Sequence, residues 1–143
     1  MARSEPIAYL NGRMVPQSQA AVPLSDAGFV LGATVTEQLR TFGGKLFRPA
    51  EHWRRLARSL EIVGVDAGLS LERLNDVASE VVERNLTCDP PGGELGLGVF
   101  ITPGPYATLA AGSDTGPTVC VYSYAIPFHL WAAASDAGAK HVV

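Results

Sequence analysis

From Thr34 to Thr41 the side chains alternate with period two: Val35, Glu37, Leu39 and Thr41 fall on one side, Thr34, Thr36, Gln38 and Arg40 on the other. A run of this kind, rich in β-branched residues, predicts a strand with two unlike faces. Gly43-Gly44 then permits the positive φ angles of a tight hairpin, and Lys45-Leu46-Phe47 reads as its short return strand. Pro49 stands where a first helical turn tolerates a missing N–H. The period changes there to three and four. Trp53, Leu56, Leu60 and Val63 share one side of the predicted helix, Arg54, Arg58 and Glu61 the other, and His52, Arg55 and Ser59 run along an edge. An arginine on such an edge can pack its stem on the core and hold its head in a cleft.

Upstream, Ile7 to Leu10 and Arg13 to Pro16 flank Asn11-Gly12, the strongest short hairpin signal. Ser25 and Asp26 read as the start of a helical turn or the cap of a loop, with no catalytic role for Asp26. Downstream, Leu71, Leu74, Ala78, Val81 and Leu86 mark a second amphipathic helix, capped by Ser70, continuing to about Asn85 and ended by the prolines and glycines from Pro90 to Gly93. Leu95, Leu97, Val99 and Ile101 alternate with Gly96, Gly98, Phe100 and Thr102, and glycines inside a strand predict close approach by a backbone, a helix or a ligand. Pro103-Gly104-Pro105-Tyr106 reads as an exposed loop. Residues 119–124 form a further strand, followed by an apolar stretch over 128–134 and, from Ala139 to Val143, the opening of another strand.

Composition narrows the class. With 143 residues and 47% hydrophobic content the chain buries a real core and makes one domain, or one part of a larger protein. A formal charge of −3 gives nucleic-acid binding no electrostatic footing. No basic start leads into an apolar run, and no uncharged apolar stretch approaches the length of about 18 residues that a membrane span needs, so the cytoplasm is the default location. Cys88 and Cys120, without a CxxC, read as two unpaired thiols. A domain normally ends in polar, poorly packed residues, whereas Val142-Val143 are apolar and β-branched. The expectation is therefore an incomplete protein: an N-terminal domain over 1–134, then an interdomain segment and the first strand of a missing second domain over 135–143.

The run from Asp26 to Gly32, then Val35-Thr36-Glu37, Arg40, Gly44, Phe47, and the Glu-His-x-x-Arg-Leu motif from Glu51 to Leu56 together resemble the N-terminal domain of the class IV (fold type IV) pyridoxal-phosphate enzymes. Branched-chain and D-amino-acid aminotransferases and aminodeoxychorismate lyases make up that family. The resemblance covers residues 6 to 143, about half of a complete member. It implies an α+β fold with an antiparallel sheet flanked by the two helices that start near Pro49 and Leu71, pyridoxal 5'-phosphate as cofactor, and a homodimer with its active site between domains. It implies, too, that Arg55 holds the cofactor phosphate, for which a planar fork of donors is suited. Thr36 matches a position facing the substrate where relatives often carry Tyr or Phe. Glu37 matches a frequent family glutamate, placed with Thr36 and Tyr106 as a candidate for the substrate pocket but read first as structural or dimer-interface. His52 reads as a packing and hydrogen-bonding residue.

Such enzymes need a lysine that condenses with the cofactor aldehyde and moves the substrate proton. Lys45, beside the hairpin glycines, reads as an exposed ammonium. Lys140 matches the start of the strand that opens the second domain, so the resemblance places the reactive lysine beyond Val143 and implies that this chain alone is inactive. D-amino-acid aminotransferases place an Arg-x-His pair after the strand corresponding to Val99 to Thr102; here neither residue follows, and Tyr106 and Thr108 offer only hydroxyls. Three readings stay open: the N-terminal part of an aminotransferase acting on an amino acid and a 2-oxo acid, the same part of an aminodeoxychorismate lyase, and an inactive truncated domain that binds a partner or phosphate ligand through the Arg55 edge.

Overall fold

The computed structural model describes residues 4–88, 93–110 and 116–128. Strands β1 (Ile7–Leu10) and β2 (Arg13–Pro16) form the first hairpin, with Asn11 and Gly12 both at positive φ as its turn requires. A short helix α1 (Ala27–Val30) follows, then strands β3 (Val35–Phe42) and β4 (Lys45–Leu46), helices α2 (Pro49–Val63) and α3 (Leu71–Asn85), and strands β5 (Leu95–Thr102) and β6 (Thr118–Ala125). The fold is α+β. Among the described residues six strands make one antiparallel sheet in the order β2-β1-β6-β5-β3-β4, with α2 and α3 packed on the face that carries Val35, Leu39, Leu97, Val99 and Val121.

Both helices begin as their sequence requires. Pro49 occupies the first turn of α2, and the Ser70 hydroxyl accepts the Arg73 N–H at the start of α3. Trp53 and Leu56 of α2 and Leu74, Val77, Ala78, Val81 and Val82 of α3 are buried against the sheet. Each large side chain so removed from water contributes about 1.5–3 kcal/mol. Val63 departs from the expected stripe. It is 56% exposed, because the last turn before the left-handed Gly64 cap lies beyond the cover of the core.

Two further expectations are corrected. The close approach foreseen at Gly96 and Gly98 comes from side chains: these residues pair with Tyr124 and Tyr122, whose rings lie over the glycines on the face away from the helices, and a Cβ at Gly98 would sit 2.5 Å from the Tyr122 ring. The loop after β5 is also not fully exposed. Gly104 is buried, its carbonyl accepts the Ala27 N–H at 2.8 Å, and the Tyr106 N–H donates to the Ser25 carbonyl at 2.7 Å. The reason is Asp26. It is 1% exposed and caps α1 by accepting the Gly28 N–H at 2.7 Å and the Thr118 hydroxyl at 2.6 Å, so the loop before α1 is tied to the end of β5 and the start of β6. Among the described residues no helix is long and apolar enough to cross a membrane. Lys140, the apolar stretch beyond Phe128 and the division at 135–143 lie outside the described residues.

Candidate functional site

Glu37 is the one acidic residue on the inward side of β3, between Val35 and Leu39, and its side chain is only 2% exposed. A carboxylate in that position costs stability unless it is paired. The partner comes from α2: Arg55 donates through Nε to Oε2 of Glu37 at 2.8 Å and through Nη2 to Oε1, a side-on, two-point ion pair. His52, one turn earlier on the same helix edge, places Nδ1 2.9 Å from Oε1, and the Gln38 N–H donates to the same oxygen at 3.0 Å. Burial alone would raise the Glu37 pKa; the hydrogen bonds from Arg55, His52 and Gln38 together with the Arg55 charge outweigh it, so the carboxyl is held below its ordinary value. The Glu37 hydrogen bond and charge in turn push the Arg55 pKa up.

The Arg55 side chain is nonetheless 67% exposed, so its guanidinium is fixed along one edge and open along the other. It borders a surface cleft of about 420 Å³ lined also by Phe47, Arg48, Glu51 and His52. Arg48 reaches Glu51 at 3.6 Å. The neighbouring helix arginines are placed differently: the Nε of Arg54 donates back to the Ala50 carbonyl at 3.2 Å, and Arg58 is exposed. A phosphate needs convergent N–H donors, and a guanidinium with a free edge is such a set. The residues present fit a phosphate-bearing cofactor.

The other residues singled out in the sequence take distinct positions. Thr36 neighbours Glu37 but points to the opposite, exposed face of the sheet, opposite Phe100. Tyr106 lies in the loop leaving the same end of β5, held through its backbone to Ser25. No hydrogen bond or ion pair among the described residues joins Thr36 or Tyr106 to the Glu37–Arg55 pair. Lys45 is exposed on β4, and Cys88 and Cys120 form no disulfide, burial pushing the Cys120 thiol pKa up. The sequence missed the pairing itself. Its signal was a lone carboxylate on an apolar strand face beside a histidine and an arginine three positions apart on one helix edge.

No family model matches the chain. Its sequence is 38% identical over 77 residues to a D-alanine aminotransferase of Staphylococcus aureus, covering 54% of this chain and 27% of that protein, and 36% identical over 75 residues to one from Bacillus licheniformis, covering 52% and 26%. Among solved structures, a hypothetical aminotransferase from Mycobacterium tuberculosis in its PLP-bound form superposes with a TM-score of 0.75 at 18% identity, over 90% of this chain and 43% of that one. The branched-chain amino acid aminotransferase of Escherichia coli superposes with a TM-score of 0.69 at 20% identity, over 85% and 40%. The architecture is thus that of the small N-terminal domain of fold type IV enzymes. In sequence the chain is similar over about half its length to D-alanine aminotransferases, and in fold it is similar to part of these aminotransferase structures. The matched region spans 27% of the D-alanine aminotransferase, and the structural match about two fifths of the solved chains.

Proposed function

We propose that this chain is the N-terminal part of a pyridoxal-phosphate-dependent aminotransferase that moves an amino group between an amino acid and a 2-oxo acid, with Arg55 holding the cofactor phosphate. The observation that carries this reading is the guanidinium of Arg55, anchored on the buried Glu37 and open on its other edge to the cleft. When bound, the cofactor supplies an electron-withdrawing ring that stabilises negative charge at the substrate carbon. Arg55 binds and orients the phosphate. Thr36 and Tyr106 border the substrate, a role supported by their position at one end of the sheet, where the start of β3 meets the end of β5. The reactive lysine lies beyond Val143. Residues 1–134 form the small domain and 135–143 lead into the next. The protein is a cytoplasmic homodimer, which two unpaired cysteines and the exposed Leu24, Phe29 and Leu31 support.

The test is a titration of pyridoxal 5'-phosphate into the native protein carrying this chain. A charge-assisted hydrogen bond contributes about 1.5–3 kcal/mol, so Arg55→Ala weakens affinity about ten- to a hundredfold. Arg54→Ala and Arg58→Ala change it little. Arg55→Lys recovers part of the loss, since an ammonium keeps the charge without the fork. Equal affinities across the four variants would remove Arg55 from the site.

A further inference from the structure

We infer that Glu37 is the positioning residue of the phosphate site, locking Arg55 in the orientation that presents its end-on edge to the ligand. The inference rests on the phosphate role of Arg55 proposed above and assigns the side chain that makes that arginine effective. A guanidinium has five N–H donors. Glu37 takes the side-on pair, one from Nε and one from Nη2, and Nη2 also lies 3.5 Å from His52 Nδ1, which leaves the end-on edge, formed by Nη1 and the second Nη2 hydrogen, directed away from the carboxylate. Two phosphate oxygens match that edge. The anchor is itself held in place: its oxygens also accept from His52 and the Gln38 N–H, and β3 is paired with β5 along Val35 to Arg40. The Glu37 side chain is only 2% exposed and is paired with Arg55, so the role assigned to it is exerted through that arginine. An arginine on an exposed helix edge without such an anchor samples many rotamers, and each is a geometry that the ligand must then select against.

The test measures dissociation constants of the native protein for pyridoxal 5'-phosphate and for pyridoxal, which lacks the phosphate. The variants are Glu37→Ala, Glu37→Gln, Arg55→Ala and the double variant Glu37→Ala/Arg55→Ala. Glu37→Ala is expected to weaken pyridoxal 5'-phosphate binding about tenfold and to leave pyridoxal within about twofold. Glu37→Gln, of the same shape and with one oxygen still accepting, falls between wild type and Glu37→Ala, and it carries the test alone if Glu37→Ala does not fold. In the Arg55→Ala background, loss of Glu37 adds little, because there is no guanidinium left to position. Unchanged pyridoxal 5'-phosphate affinity in both Glu37 variants, or equal losses for the two ligands, overturns the assignment. If Arg55→Ala weakens binding and the Glu37 variants do not, only the positioning role falls; if Arg55→Ala binds as wild type does, the phosphate reading falls with it.

Discussion

Asn85 at the end of α3 is expected to be among the most sensitive polar positions in this domain. Its side chain is 2% exposed and ties three segments together. Oδ1 accepts the Ile7 N–H at 2.8 Å, and Nδ2 donates to the Ile7 carbonyl and to the Ser123 hydroxyl oxygen, each at 2.8 Å. Asn85→Ala removes three hydrogen bonds, each with a net contribution of about 0.5–1.5 kcal/mol, and strands the Ile7 amide, which costs about 1–3 kcal/mol more where water does not replace the partner. Ile7 is only partly buried, so water recovers some of this and the expected loss is about 2–4 kcal/mol. Ser123→Ala removes one of the three bonds while Nδ2 keeps the Ile7 carbonyl, and the expected loss is about 1 kcal/mol. Urea unfolding followed by circular dichroism measures both, with the slope of the transition checked for constancy. An Asn85→Ala loss under about 0.5 kcal/mol, the range of an ordinary surface substitution, would refute the view that this amide clamps β1 to the helix layer.

The remaining predictions concern a loop and a pH dependence. Gly104→Ala should cost about 2 kcal/mol or more in the same unfolding assay, because its φ of +87° is strained for any side chain and a Cβ would collide with the backbone carbonyl of Gly116; a loss below about 0.5 kcal/mol would contradict the packing of that loop. Glu37 has a folded-state pKa below its ordinary value of 4.5, so its contribution to stability is complete above about pH 4.5 and is lost as the pH falls through the folded value. Stability should therefore decline more steeply with acidification in the wild type than in Glu37→Gln, measured as urea midpoints from about pH 6 down to about pH 3. Parallel curves would mean that the carboxylate gains nothing from Arg55 and His52.

Local signals were enough wherever a few neighbouring residues decide the backbone. Asn11-Gly12 forms its turn, Pro49 and Ser70 start their helices, and the period-two run from Val35 becomes β3 with Val35, Glu37 and Leu39 on the covered side, because each depends on φ preference or spacing within a few residues. The Arg55 edge of α2 was legible in the same way. Periodicity states which side of a segment is apolar; it does not state which segment lies alongside. The placement of β1 next to β6, more than a hundred residues later, and the sheet order that follows from it were settled only by long-range pairing, as were the Tyr122 and Tyr124 rings over Gly98 and Gly96.

The same distinction applies at the candidate site. The sequence by itself determined that Glu37 would share a strand face with Val35 and Leu39 and that a motif arginine would ride on a helix edge. Three arginines stand close together on that helix, Arg54, Arg55 and Arg58, and only the rotation of α2 against the sheet selects Arg55 as the partner of Glu37, turning Arg54 back on the Ala50 carbonyl. That rotation is set by where Trp53 and Leu56 bury against the core. The tertiary structure decided it because a buried carboxylate must find its counter-charge among groups that packing brings within about 3 Å, and packing is a property of the whole domain.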